Sequence, residues 1–334
     1  MSNNVVEVFF ARFKRGVVFT VLICFMLAVS GCGTARTESR NLRVTLIAKS
    51  SESNFWVTCF QGADAAAVEY TNVTLKKTAP ENEWDSKSQN VMISQAVEEH
   101  VDAIILSACD YDASAAYVET ALDAGIPVVT IDSGVNTERR VTFIGTDNFE
   151  AGRMAADAVA EKIGSEGSVG VIGFEKGSAN GEQRINGFNS AMEEYPGIAV
   201  VEIVNSDSDY DTAQKAAEDM LKKHGEGLTA IATFNELTTV GVARAIAANE
   251  KYAGVCVVGF DNNPESIQML ENGVIDCLVV QNSFAMGYLG VERAILETKG
   301  GAPGGTVPTR TVLVTKENMY SPDNEKLLFP FSGD

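Results

Sequence analysis

The sequence predicts an α/β protein: two doubly wound parallel-sheet lobes facing each other across one polar cleft. Three observations carry that expectation. Short apolar runs alternate with helix-length segments from residue 42 to about residue 315, at a spacing that requires βαβ crossovers. Residues 126–134 (IPVVTIDSG) contain the run Val128-Val129-Thr130-Ile131, which stops on Asp132. Pro127 suits a strand start, where its missing N–H does little harm, and the unbroken run suits a strand buried on both faces. Residues 255–261 (VCVVGFD) repeat the pattern and end on Asp261. Ligands of open α/β sheets bind at the carboxyl rim of the strands, so each half brings an aspartate to such a rim.

Taken in order, residues 42–48 form the opening strand, followed by the turn SSESN and a helix over about 54–70. Ser53 or Asn54 can cap that helix, and Cys59, Gly62, Ala63, Ala66 and Ala67 make its sheet-facing stripe. A strand over 73–77, the loop APENEWDSKS, a helix over 86–99, a strand over 103–106 and a helix near 113–124 come next. Strands over 126–131 and 143–145 complete the first set. The pattern then restarts with a helix over 149–162 that Gly164 ends, a strand over 168–173 and the loop FEKGSANGEQ. A helix over 182–195 ends before Pro196; a strand over 199–204, the acidic loop NSDSDYD and a helix over 211–224 follow. Further strands cover 228–233, 255–261 and 274–280, with helices over 238–250, 264–272 and 284–299. The connector GGAPGGTVP leads to a last strand over 311–314. The boundary falls near Asp147 without a Gly/Ser linker, which points to short hinge strands.

A length of 334 residues gives each of two domains its own core. The net charge of −19 offers no basic field to a phosphate backbone, which argues against nucleic acid. Cys59, Cys109, Cys256 and Cys277 have no CxxC-type spacing. Their even number permits disulfides outside the cytoplasm, while the apolar runs around Cys256 and Cys277 favour buried free thiols. His100 and His224 each stand near a helix end, the place of a charge that answers the helix dipole.

The first residues are a different material. Arg12, Lys14 and Arg15 precede the apolar segment 16–29, which reads as an export signal and is too short for a full span. It closes with Val29-Ser30-Gly31-Cys32, which resembles the lipobox of bacterial lipoproteins. By that resemblance residues 1–31 are removed, the Cys32 thiol is lipidated, and residues 32–41 are a polar tether. The alternatives are an ordinary signal with an unrelated cysteine, or a short membrane anchor.

The order FW near residue 55, PVVTIDSG, FIGTDNFEAG, QRINGF, FNE, VVGFD and VVQN resembles the periplasmic sugar-binding proteins of the ribose/galactose type. Each motif is weak alone; seven in order and spacing are specific, and they cover about residues 42–315. The resemblance implies the type I periplasmic binding protein fold, two Rossmann-like lobes joined by three crossovers. It implies an N-terminal lobe of 42–146 plus 282–309 and a C-terminal lobe of 147–281 plus 310–334. It further implies a monomer without cofactor or metal, and the lipobox resemblance implies anchoring outside the cytoplasm through lipid alone. Its partners are then a sugar ligand and the permease subunits of an ABC importer with a separate ATPase.

A sugar presents hydroxyls and apolar C–H faces, so its site mixes carboxylates, amides and a guanidinium with aromatic rings. Carried across position by position, the family pocket implies Phe55 and Trp56 stacked on the sugar and Asp132 and Asp261 accepting from its hydroxyls. It adds Arg184 on ring or hydroxyl oxygens, Asn235 and Gln281 as mixed donors and acceptors, and Tyr210 as an aromatic of the second lobe. Two positions depart: ribose binders have Asp-Arg where this chain has Asp132-Ser133, and Lys49 stands for their asparagine or serine. Such residues are not interchangeable, so the expected ligand is not ribose itself. Glu81, Trp84 and Asp85 either reach the cleft or belong to a solvated loop.

Rival functions find less support. The chain has no Ser/His/Asp arrangement, metal-ligand cluster, GxGxxG or GxxxxGK[ST]. Two facing aspartates suggest glycoside hydrolysis, but that needs an acid of raised pKa, and these share a rim with Arg184. A sugar-responsive repressor needs a helix-turn-helix where the export signal stands. A sensory protein presenting its ligand to a chemoreceptor or kinase uses the same closed form as an importer, and both stay open.

Overall fold

A computed structural model of the chain describes residues 40–70 and 72–329. The expected export signal and lipidated Cys32 lie outside the described residues. The first half comprises β1 (Leu42–Ile47), α1 (Asn54–Glu69), β2 (Val73–Thr78), α2 (Ser86–Glu98), β3 (Ala103–Leu106), α3 (Ala115–Asp123), β4 (Val128–Ile131) and β5 (Thr142–Gly145). The second comprises α4 (Asn148–Ile163), β6 (Gly167–Gly173), α5 (Ala179–Met192), β7 (Ile198–Asn205), α6 (Tyr210–His224), β8 (Ala230–Thr233), α7 (Glu236–Ala247), β9 (Cys256–Phe260), α8 (Pro264–Asn272) and β10 (Cys277–Gln281). Four elements close the chain: α9 (Ser283–Thr298), β11 (Gly305–Pro308), β12 (Thr311–Thr315) and α10 (Pro322–Leu328).

The strands form two six-stranded sheets, ordered β11-β5-β4-β3-β1-β2 and β12-β10-β9-β8-β6-β7. The two orders correspond strand for strand. All pairings are parallel except that of β12 with β10. The chain passes between the sheets three times: after β5, after β10 and after β11. Two elements escape the sequence reading. β11 lies in a Gly/Pro-rich connector with no apolar run, and α10 is a short helix started by Pro322.

Central strands β3, β4, β8, β9 and β10 are buried at every position, as unbroken apolar runs require. Edge strands β2 and β7 alternate instead, and β2 carries Lys76 and Lys77, charges that discourage edge pairing. Alternation along a strand divides each lobe's core between two faces. Ile105 joins the cluster under α1 and α9, and its neighbour Ile104 the cluster under α2 and α3.

Glycines set the closest helix spacings. A Cβ on Gly62 of α1 would lie 2.0 Å from the Phe284 carbonyl oxygen of α9, and one on Gly287 of α9 1.9 Å from the Cys59 carbonyl oxygen of α1. The second lobe repeats the device: Gly152 of α4 meets the Arg184 carbonyl of α5, and Gly187 of α5 the Phe149 carbonyl of α4. These contacts fix the depth of α1 and α5, which carry Trp56 and Arg184. The four cysteines are free and buried. Among the described residues no helix is long and apolar enough to cross a membrane.

Candidate ligand-binding site

The carboxyl rims of the two sheets meet around a small cavity lined by residues of both lobes. Lys49, Phe55, Trp56, Glu83 and Asp132 line it from the first lobe, and Phe174, Asn180, Arg184, Asn235, Glu236, Asp261 and Gln281 from the second. The space they enclose is about 20 Å³, room for roughly one water. This is a closed cleft whose polar groups already bond one another.

Asp132 and Asp261 are held at the strand tips in left-handed backbone, with φ of 57° and 61°. Asp132 accepts from Ser107 Oγ at 3.0 Å in its own lobe and from Asn180 Nδ2 at 3.0 and 3.1 Å across the cleft. Asp261 accepts from Gln281 Nε2 at 2.9 Å. Burial pushes the Asp261 carboxyl up to about 7, against the lowering effect of Arg184. Contrary to the expectation from sequence, sharing a rim with the guanidinium does not hold this acid in the ordinary range.

Arg184 is 1% exposed, so its charge is buried rather than carried on the helix surface. Its Nε donates to Asn148 Oδ1 at 2.9 Å, Nη1 to the Phe234 carbonyl at 2.7 Å and Nη2 to Gln281 Oε1 at 2.8 Å. The guanidinium lies 4.8 Å from the Phe260 ring centre and 3.8 Å from Asp132 Oδ1.

Lys49 is likewise buried, and its Nζ pairs with Glu175 Oε1 at 2.6 Å and donates to Asn180 Oδ1 at 3.1 Å, both in the opposite lobe. Burial works to lower its pKa, but the charges of Glu175, Asp132 and Glu83 outweigh it and hold the ammonium protonated. Ser208 Oγ donates to the other oxygen of Glu175, and Asn235 Nδ2 to Ser208 Oγ at 2.8 Å. Asn235 also caps α7 through Thr238 N–H at 3.0 Å.

A second clasp joins the lobes. Glu236, first residue of α7, accepts from the backbone N–H of Asn54 at 3.2 Å and of Phe55 at 2.9 Å, the open end of α1. Asn263 Nδ2 supports it at 3.0 Å, and burial raises its pKa. Ser53 caps α1 through Trp56 N–H. Phe55 and Trp56 meet edge to face at 4.9 Å, and Trp56 Nε1 donates to Glu83 Oε1 at 2.7 Å.

Of the sequence-named residues, Lys49, Phe55, Trp56, Asp132, Arg184, Asn235, Asp261 and Gln281 line one cavity. Ser133 and Tyr210 do not. The Ser133 side chain is fully buried behind the rim, and its hydroxyl has no partner among the described residues. The Tyr210 ring packs on Arg244 at 4.9 Å, and burial, then the Glu236 charge, push its hydroxyl up to about 12. Sequence reasoning missed Glu83, Phe174, Glu175, Asn180 and Glu236. The loops FEKGSANGEQ and FNE marked the segments holding the last four, without distinguishing buried members from solvated ones.

The fold has close parallels. Residues 44–302 match the model of the periplasmic binding protein domain. The D-ribose/D-allose-binding protein of Pseudomonas aeruginosa is 28% identical over 82% of this chain and 88% of its own length. A carbohydrate transporter solute-binding protein of Agrobacterium radiobacter, solved with D-arabinose, superposes with a TM-score of 0.83 at 31% identity, covering 86% of this chain and 99% of that one. An ABC transporter solute-binding protein of Agrobacterium vitis with bound D-fucose gives 0.82 at 31%, with the same coverage. With two matched sheets, three crossings and a cavity where the strand rims meet, the chain belongs to the periplasmic binding protein family.

Proposed function

We propose that this protein captures a monosaccharide or similar polyol between its lobes and delivers it to the permease of an ABC importer. The carrying observation is the composition of the cavity. Two aspartates from opposite lobes, a guanidinium, an ammonium and three amides converge with Phe55, Trp56 and Phe174. Hydroxyls and apolar sugar faces call for that mixture. The relatives are binding proteins of sugar transport rather than enzymes, which supports the same reading. Ligand entry exchanges the cross-lobe bonds of Asp132 and Lys49 for bonds to sugar oxygens, so ligand and closure are coupled. Lys49 in the cavity, and the lack of an arginine at position 133, argue for a sugar other than ribose. Cys32 would hold the protein to the outer side of the cell membrane.

A thermal-shift screen of the purified protein against pentoses, hexoses, inositols and nucleosides tests the reading. A pentose or hexose is expected to raise the melting temperature by several degrees, since a ligand of the folded state stabilises by mass action. Stabilisation by nucleosides alone would overturn it. Membrane retention is tested by Cys32→Ser, expected to release the protein to the soluble fraction.

A further inference from the structure

Glu83 sits in the loop between β2 and α2, where its neighbours Asn82 and Trp84 are exposed, yet its own side chain is buried at the cleft. Its Oε1 takes the indole N–H of Trp56 at 2.7 Å. An indole has a single polar direction, so this bond sets the rotation of the ring. Glu83 also interacts electrostatically with Lys49, whose ammonium uses two of its three donors on Glu175 and Asn180. The ammonium is thus paired with a carboxylate of the opposite lobe and acted on by the charge of one in its own lobe.

On the reading of the cleft as a sugar site, we propose that Glu83 is its positioning residue. It fixes the Trp56 ring that meets the ligand's apolar face, steers the Lys49 ammonium, and so decides which sugar stereochemistry is accepted. The charged and titratable groups facing Glu83 are Lys49 from the β1 rim and Glu175 from the β6 rim. The Ser208 hydroxyl and the Cys109 thiol also stand within its field. Burial first, and the Glu175 charge second, push the Glu83 carboxyl from 4.5 up to about 7 in this closed cleft. Opening returns it toward the ordinary range. Closure thus takes up a proton, its advantage is complete at low pH, and that advantage is lost as pH rises through about 7.

The test uses a Trp84→Phe background, which leaves Trp56 as the sole tryptophan of the chain. Its emission is followed from about pH 5 to about pH 8.5, and melting is measured with a panel of pentoses and hexoses. The background protein is expected to show an emission step near neutral pH. Glu83→Gln removes the step but keeps the emission maximum, because its amide oxygen still accepts the indole N–H, and it reorders the sugars. Glu83→Ala shifts the emission to the red and weakens the best sugar by about tenfold. A step retained in Glu83→Gln, or unchanged emission and sugar order in Glu83→Ala, overturns the proposal. If the alanine variant does not fold, the glutamine variant decides alone. If no sugar stabilises even the unmutated protein, the sugar reading fails separately, and the emission still decides whether Glu83 sets the ring.

Discussion

Asp132 and Asp261 stand at equivalent points of the two lobes, in the same backbone conformation and with the same anchor. Each follows a central strand with φ near +60°, and each gives its N–H to the next strand, Asp132 to Ile144 O at 3.0 Å and Asp261 to Val279 O at 2.9 Å. Left-handed backbone suits Asp and Asn far better than other side chains. The residue type thus suits the turn and, on the proposed function, the cleft as well.

Backbone and charge can be separated. Asp132→Asn and Asp261→Asn keep the turn and remove the charge, so each should melt within a few degrees of the parent. Sugar affinity should fall by about ten- to a hundredfold, the worth of a charged hydrogen bond. Asp132→Ala should additionally lose about 1 kcal/mol to backbone strain. Calorimetry with the sugar found by thermal shift checks this, and unchanged affinity in Asp132→Asn would remove that carboxylate from the ligand's partners.

The strand tips were legible because their signals are local: an apolar run, then a turn residue. Glu175, Asn180 and Glu236 are polar residues among polar neighbours, and their burial depends on the opposite lobe. Lys49 and Glu175 are 126 positions apart, and no local pattern pairs them. The same holds for the loop after β2. Trp84 stays 56% exposed, Glu81 is exposed and Asp85 caps α2, while Glu83 between them turns inward. The departure Asp132-Ser133 is visible in sequence, but only the fold shows that the Ser133 side chain lies behind the rim.

The Lys49–Glu175 pair is buried across an interface that can open, which changes what breaking it does. Removing one partner of a buried pair costs about 3–5 kcal/mol when the other stays buried. Here the remaining charge reaches water by parting the lobes, so the expected result is opening rather than unfolding. Lys49→Met and Glu175→Gln should each raise the radius of gyration in solution scattering with little change in melting temperature. The double variant should return toward the parent. A double variant as open as either single one would show that the pair does not hold the cleft.

Arg184 is placed to act on stability as well as, on the proposed function, on ligand. Its three acceptors come from the start of α4, the end of β8 and the end of β10, so it ties together segments beside two of the three crossings. A lysine reaches one of them and leaves the others buried without a donor, at about 1–3 kcal/mol each. Arg184→Lys should therefore lower unfolding free energy by about 3 kcal/mol in guanidinium titration. Loss of binding in any Arg184 variant then has to be measured below its own melting range. Unchanged stability would mean that these acceptors find other donors.

Gly152 does not line the cavity, yet it sets where Arg184 stands. A Cβ there would lie 2.0 Å from the Arg184 carbonyl oxygen and 2.9 Å from Phe188 N, both backbone atoms that cannot rotate aside. Gly152→Ala must push α5 away from α4, moving Asn180 and Arg184 together. Overpacking of this kind costs about 1–3 kcal/mol. The displaced guanidinium should also weaken sugar binding by about tenfold, since Asn148, Phe234 O and Gln281 hold it from elements that do not move with α5. Gly62→Ala should do the same in the first lobe by lifting α1 from α9, with Phe55 and Trp56 as the displaced groups. Melting curves and calorimetry on both variants separate two outcomes. Stability and affinity falling together mean that helix spacing sets the depth of the site; stability falling alone means that the ligand groups are placed by their own hydrogen bonds.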